Sequence, residues 1–84
     1  MTTDMIGGKF MTTMPEVMGY EIEESMGVIV YYSMWSHKNA LKGLARKAED
    51  EGCNAVVNVR VDSGYGYVAA FGEGVIVKEK PFSY

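Results

Sequence analysis

Histidine, cysteine and tryptophan occur once each in this 84-residue chain, at His37, Cys53 and Trp35. A single thiol excludes an internal disulfide. One His and one Cys exclude a structural zinc site within one chain, which takes four converging N or S ligands. Positive charge is short as well: eight Lys and Arg stand against eleven Asp and Glu, for a net charge of −3. That excludes a binder of the phosphate backbone, which needs a positive stripe, so nucleic acid is not expected as a partner. No apolar run approaches about 20 residues, so no membrane span is expected. The opening "MTTDMIGGKF" has neither the basic n-region nor the apolar stretch of a secretory signal. A cytoplasmic chain with a reduced thiol is the expectation. No local Ser/His/Asp or Cys/His arrangement offers a nucleophile with its base. "GYGY" and "GEG" lack the strand–loop–helix setting and the Lys-Ser/Thr ending of a phosphate loop.

What is present reads as one small α+β domain. A chain this short buries only about 60–65% of the surface its unfolded form exposes, so partner subunits would help it. Residues 1–13 are polar, glycine-bearing and methionine-rich, and read as an N-terminal arm with a short strand near residues 9–13. The single domain is expected over 14–84. Pro15 breaks any helix and fits an edge or turn.

Residues 19–32 read as the first long strand, with Tyr20, Ile22 and Glu24 on one side and Glu21, Glu23 and Ser25 on the other. Gly27 is a candidate bulge. Ser36 is a fitting helix N-cap. Leu41, Leu44, Ala45 and Ala48 then recur at helical spacing, giving a narrow stripe for one sheet face. Lys42, Arg46 and Asp50, and Lys47 with Glu51, are spaced for i, i+4 pairs. Glu49, Asp50 and Glu51 oppose the helix dipole, so packing must hold the helix. Gly52 ends it in the left-handed conformation.

Residues 55–62 alternate, which places Ala55, Val57, Val59 and Val61 on one face and Val56, Asn58, Arg60 and Asp62 on the other. "DSGYG" is turn chemistry. Residues 67–79 form the last strand, apolar on both faces, with bends expected at Gly72 and Gly74. The order is β-α-β-β. The simplest sheet has three antiparallel strands, the third central, with one helix on one face and a right-handed crossover. The second face and two edges are left open, which soluble proteins avoid, so sister chains are expected to cover them.

Three blocks, "TTMPEVMGYEIEESMGVIVYYS", "GCNAVVNVRVD" and "YVAAFGEGVIV", resemble in order and spacing the YbjQ-like family, described as a proposed heavy-metal-binding domain. The family pattern runs from T-T-T-P-x-x-x-G-Y, through G-A-N-A-V-V-G-V-R at a helix end, to A-x-G-T-A-V. The resemblance implies a dodecin-like subunit assembled into a ring, a homopentamer. It implies a binding or assembly domain more than an enzyme, with a soft metal ion as its cofactor. This chain departs from the pattern in three ways. The family's long, glycine- and arginine-rich strand–helix connection is shortened to "SMWSHKNALKG". Cys53 replaces a small residue, and Asn58 a glycine. Ten residues precede the family's usual start near Met11.

Each candidate residue has a plainer reading beside the chemical one. Cys53 and His37 are the soft-metal candidates, gathered one per subunit around a ring axis; otherwise Cys53 is a small packed residue under the helix end. Met11, Met14 and Met18 could offer thioethers to Cu(I), or fill gaps at an interface. Glu21, Glu23 and Glu24 could meet a hard cation, or be a solvated strand end. Trp35, Tyr32 and Tyr67 are the ligand candidates: a carrier of a flat aromatic molecule, flavin-like by analogy with dodecin, would stack it on Trp35 between subunits. Interface packing uses the same residue types. A hydrolase with a composite interface site is a third reading. Gly52, Asn54, Val57, Val59 and Gly72 are the structural positions.

Overall fold

The structure, a computed structural model, describes residues 4–6, 8–34, 36–64 and 66–80. The elements run β1 (Asp4–Ile6), β2 (Lys9–Met11), β3 (Tyr20–Ser33), α1 (His37–Asp50), β4 (Ala55–Gly64) and β5 (Tyr67–Glu79). They build one helix and one five-stranded sheet in the order β1-β2-β4-β5-β3. The β-α-β-β unit has the expected pairing, with β5 central and antiparallel to both β3 and β4. The expected three-stranded antiparallel sheet is, however, extended to a mixed one. The arm forms an antiparallel hairpin, and β2 joins β4 in parallel through Phe10 to Ala55 and Met11 to Val56. β2 is the short strand expected near residues 9–13; β1 was not anticipated, since three residues carry too little periodicity, and Gly8 at φ 79° makes the tight turn between the two.

Local chemistry sets the bounds of α1. Ser36 is extended at φ −158°, and its hydroxyl accepts a bond from the Asn39 N–H at 3.2 Å. At the other end Gly52, at φ 80°, lets the chain reverse. Its N–H donates to the Glu49 carbonyl at 2.9 Å, and the Cys53 N–H donates to the Ala48 carbonyl at 2.8 Å. This pair of bonds is the Schellman motif, and it brings Cys53 beside Ala48 in the core. The i, i+4 charge spacing closes no ion pair among the described residues; Glu49 instead meets Lys9 of β2 at 3.7 Å. Packing therefore holds the helix, through Ala40, Leu44, Ala45 and Ala48.

Two bulges rewrite the expected facing of the strands. Asn58 takes φ 54°, and the β4–β5 register shifts between Val57 and Arg60. Ala55 and Val57 consequently face away from the helix, while Val56 and Val59 face it. The expected set Ala55, Val57, Val59 and Val61 is thus split, because a one-residue insertion flips every later side chain. In β3, shifts at Ile22/Glu24 and Ser25/Gly27 place Ser25 opposite Val75 and Glu24 opposite Ile76. Glu24 and Ser25 so exchange the sides that alternation assigns them.

The glycines of β5 admit neighbours that a side chain would exclude. A Cβ on Gly72 would stand 2.5 Å from Val56 Cγ1 and 3.1 Å from the Val57 carbonyl, and one on Gly74 would stand 2.9 Å from Cys53 Sγ. The register irregularities lie in β3 and β4, not in β5: those at Ser25/Gly27 and Val57/Arg60 fall beside these glycines, and that at Ile22/Glu24 falls opposite Ile76 and Val77.

The sheet carries apolar clusters on both faces. Under α1 lie Met11, Ile29, Cys53, Val56, Val59 and Ala70. On the second face, Val17 packs with Ala55, Val57, Val75 and Val77, flanked by Phe10 and Tyr20. Segment 12–19 thus folds over one half of the face expected to be open. Among the described residues, no segment covers the half beyond it, towards the β4–β5 turn: Val28 is 80% and Tyr32 63% exposed.

Candidate functional site

Cys53 is 2% exposed, packed among Ala48, Val56 and Gly74. Burial raises its thiol pKa above the ordinary value, and the carboxylates of Glu51 and Glu24 push it further; Lys9 works in the opposite direction. The thiol is thereby held protonated, whereas metal binding and nucleophilic attack use the thiolate. His37 stands at the far end of α1, exposed, with Nε2 3.2 Å from Ser63 Oγ on β4. The fourteen-residue helix, which His37 begins, spans about 20 Å at 1.5 Å per residue and sets the two groups at opposite ends. Among the described residues, no group of three or more His, Cys, Asp or Glu gathers to hold a metal ion.

Tyr32 and Tyr67 are brought together. Their rings meet edge to face, with centroids 5.8 Å apart and planes at 65°. They sit on the second face, where Tyr32 lies opposite Ala69, and both are exposed. Trp35, the third expected ligand residue, lies outside the described residues. The methionines diverge: Met11 is buried under the helix, while Met14 and Met18 are exposed. Glu21 is tied to Lys78 at 3.3 Å, and Glu23 and Glu24 have no ion pair among the described residues.

Asn54 and Val57 belong to the scaffold. The Asn54 side chain copies a strand edge: its Nδ2 donates to the Val77 carbonyl at 2.9 Å, and its Oδ1 accepts from the Val77 N–H at 2.8 Å. This extends the β4–β5 ladder one step beyond Ala55.

Sequence reasoning did not foresee a notch beside β4. β2 stops at Met11, and the 12–14 segment follows β4 only as far as Val59, whose N–H donates to the Thr12 carbonyl at 2.9 Å. Among the described residues, none pairs with the outer edge of β4 from Arg60 to Gly64. A cleft of about 570 Å³ opens there, bounded by Thr13, Leu41, Val59, Arg60 and Val61. Leu41 also lines a second cleft, of about 390 Å³, with Ile6, Lys38 and Lys42. A third, of about 300 Å³, lies on the second face between Val28, Arg60, Phe71 and Glu73. The signal for the notch was the length mismatch between the short arm and the ten-residue β4. Among the described residues, no helix is long and apolar enough to cross a membrane.

No family model matches the chain, and no curated protein matches it in sequence. Among solved structures, it is similar to a protein of unknown function from Pediococcus pentosaceus assigned to the DUF74 family. The TM-score is 0.53 and the identity 17%, over 87% of this chain and 99% of that one. The shared property is the fold.

Proposed function

We propose that the chain is a YbjQ-like homo-oligomeric binding or assembly domain, its copies arranged in a ring, and that it performs no catalysis of its own. The observation that carries this reading is the open half of the second face beside β3. β3 is a 14-residue edge strand paired, among the described residues, on one side only, and Val28 and Tyr32 stand exposed along it. A long free edge invites another strand along part of its length, and pairing even a part of it shortens an aggregation-prone edge. The fold shared with a DUF74 protein, together with the three sequence blocks, supports the family reading. Sedimentation or light scattering tests it: a stable multiple of the single-chain mass is expected, and a single-chain species at high concentration overturns it.

The Tyr32–Tyr67 pair favours a second reading, a carrier of a flat aromatic ligand. Two exposed rings beside Ala69, with Asp62 in the same row on that face, offer a stacking platform for a planar ligand. A protein purified with a near-visible absorbance band, lost in Tyr32→Ala, supports this reading. A soft-metal role for Cys53 and His37, the property named by the family description, requires copies to bring these groups together and the thiol to lose its proton. Elemental analysis after mild purification tests it, with a stoichiometric soft metal as the supporting result.

A further inference from the structure

Among the described residues, besides the outer side of the three-residue β1, the sheet has two unpaired edges, and they differ. One is the whole outer side of β3; the other is the notch at residues 60–64 of β4, above the point where β1 and β2 widen the sheet. Both strands run antiparallel to β5 and hence parallel to each other. A second copy continuing the sheet by rotation therefore presents its β3 to this β4 in the parallel sense.

Charge selects which half of β3 enters. On the helix side of the sheet, the first half carries Glu21 and Glu24, with Glu23 at the bulge between them. The notch adjoins the opposite charge: Leu41 lines both its cleft and the cleft rimmed by Lys38 and Lys42. Neither lysine has an ion pair among the described residues. Acidic residues thus crowd one end of the subunit, while Lys38 and Lys42 stand at the other, on the same side of the sheet.

Sterics select the offset. Through β5, Arg60 of β4 is level with Val30 of β3, and Asp62 with Tyr32. A copy added at that level would drive its residues 20–27 into the space held by β2 and β1. Sliding it by about eight residues, ~26 Å at 3.3 Å per residue, seats residues 20–25 in the notch and leaves the rest of β3 running free above it.

We propose, resting on the self-association reading above, that residues 20–25 of β3 in one copy add in parallel to the notch edge of β4 in the next. Glu23 and Glu24 then lie along the Lys38/Lys42 rim. The contact is heterologous, each copy giving one edge and receiving the other, and it propagates until it closes. A fixed stagger between neighbouring strands is also the condition for a continuous sheet to close on itself.

Three charge variants of the full chain test it, with solution mass as the readout and circular dichroism to verify folding; all four positions are exposed. Glu23→Lys with Glu24→Lys, and separately Lys38→Glu with Lys42→Glu, are each expected to fall to the single-chain mass where the wild type is assembled. The combined fourfold swap is expected to recover the wild-type mass. Assembly unchanged in the lysine reversal, or a fourfold swap that stays dissociated, overturns this interface while leaving self-association standing. A wild-type chain that is itself a single-chain species overturns both.

Discussion

At Gly43 the backbone of α1 rests on the ring of Tyr31: a Cβ at that position would overlap Cδ2, Cε2 and Cζ of the ring. Gly43 is buried in mid-helix, where glycine costs about 0.5–1 kcal/mol relative to alanine. That cost is retained because it lets α1 sit close on β3. Gly43→Ala is therefore expected to lower the melting temperature despite its gain in helix propensity, because the Tyr31 ring must swing out. In a Tyr31→Ala background the same change is expected to stabilise by about 0.5–1 kcal/mol. A double-mutant cycle with no coupling between the two positions contradicts the close approach.

Asn58 gives a second backbone test. A left-handed residue that is not glycine carries a cost of about 1–2 kcal/mol, and asparagine tolerates it better than most. Asn58→Gly is expected to be neutral or slightly stabilising. Asn58→Val is expected to destabilise by about 2 kcal/mol or more, since a β-branched residue is poorly tolerated there. Equal stability of the two variants in urea denaturation counts against the bulge.

Much of the architecture was legible because β5 and α1 announce themselves. Residues 67–79 read as a strand of that length, and the Ser36 cap and Gly52 exit frame the helix. The facing of residues after 57 was not legible, because alternation assumes no inserted residue. The clue was present in Asn58, which stands where the resembling family has glycine; a position shared by Gly and Asn marks a left-handed backbone. The cover over the second face depended on Val17, which is buried while its apolar neighbours Met14 and Met18 are exposed, and such a segment shows no period. At the candidate site, composition alone could name Cys53, His37, Tyr32 and Tyr67. That the histidine and cysteine sit at opposite helix ends was legible from the Ser36 cap and the Gly52 exit; only the β3–β5 and β4–β5 registers show that the tyrosines meet.

Cys53 ties stability to alkaline pH. Its thiol pKa is raised in the folded chain, so the native state holds this proton more tightly than the unfolded one. Below the ordinary thiol range both states are protonated and the group contributes no pH dependence. As pH rises beyond about 9, the unfolded state loses its proton first, and stability falls until the folded pKa is passed. Cys53→Ala is expected to remove this component of the alkaline slope, at the cost of a small cavity beside Gly74. Native chain is expected to resist a thiol reagent at pH 8, with reaction restored in denaturant. Rapid labelling of the folded chain contradicts the burial.

Asn54 makes the last test, because its side chain stands in for a backbone. Removing it with Asn54→Ala leaves both the N–H and the carbonyl of Val77 without their partners at 2.8 and 2.9 Å. Each lost bond in a part-buried site is worth about 0.5–1.5 kcal/mol, and water can reach some of the edge, so a loss near 1–2 kcal/mol is expected. Asn54→Asp keeps the acceptor for the Val77 N–H but turns a carboxylate oxygen towards the Val77 carbonyl, setting two acceptors against each other. It is expected to be at least as damaging as alanine at neutral pH, and to recover in acid as the carboxyl regains a proton it can donate. Hydrogen exchange at the Val77 amide is the local readout: protection is expected to drop in both variants. An unchanged rate would mean that the β4–β5 ladder ends at Ala55 without help from Asn54.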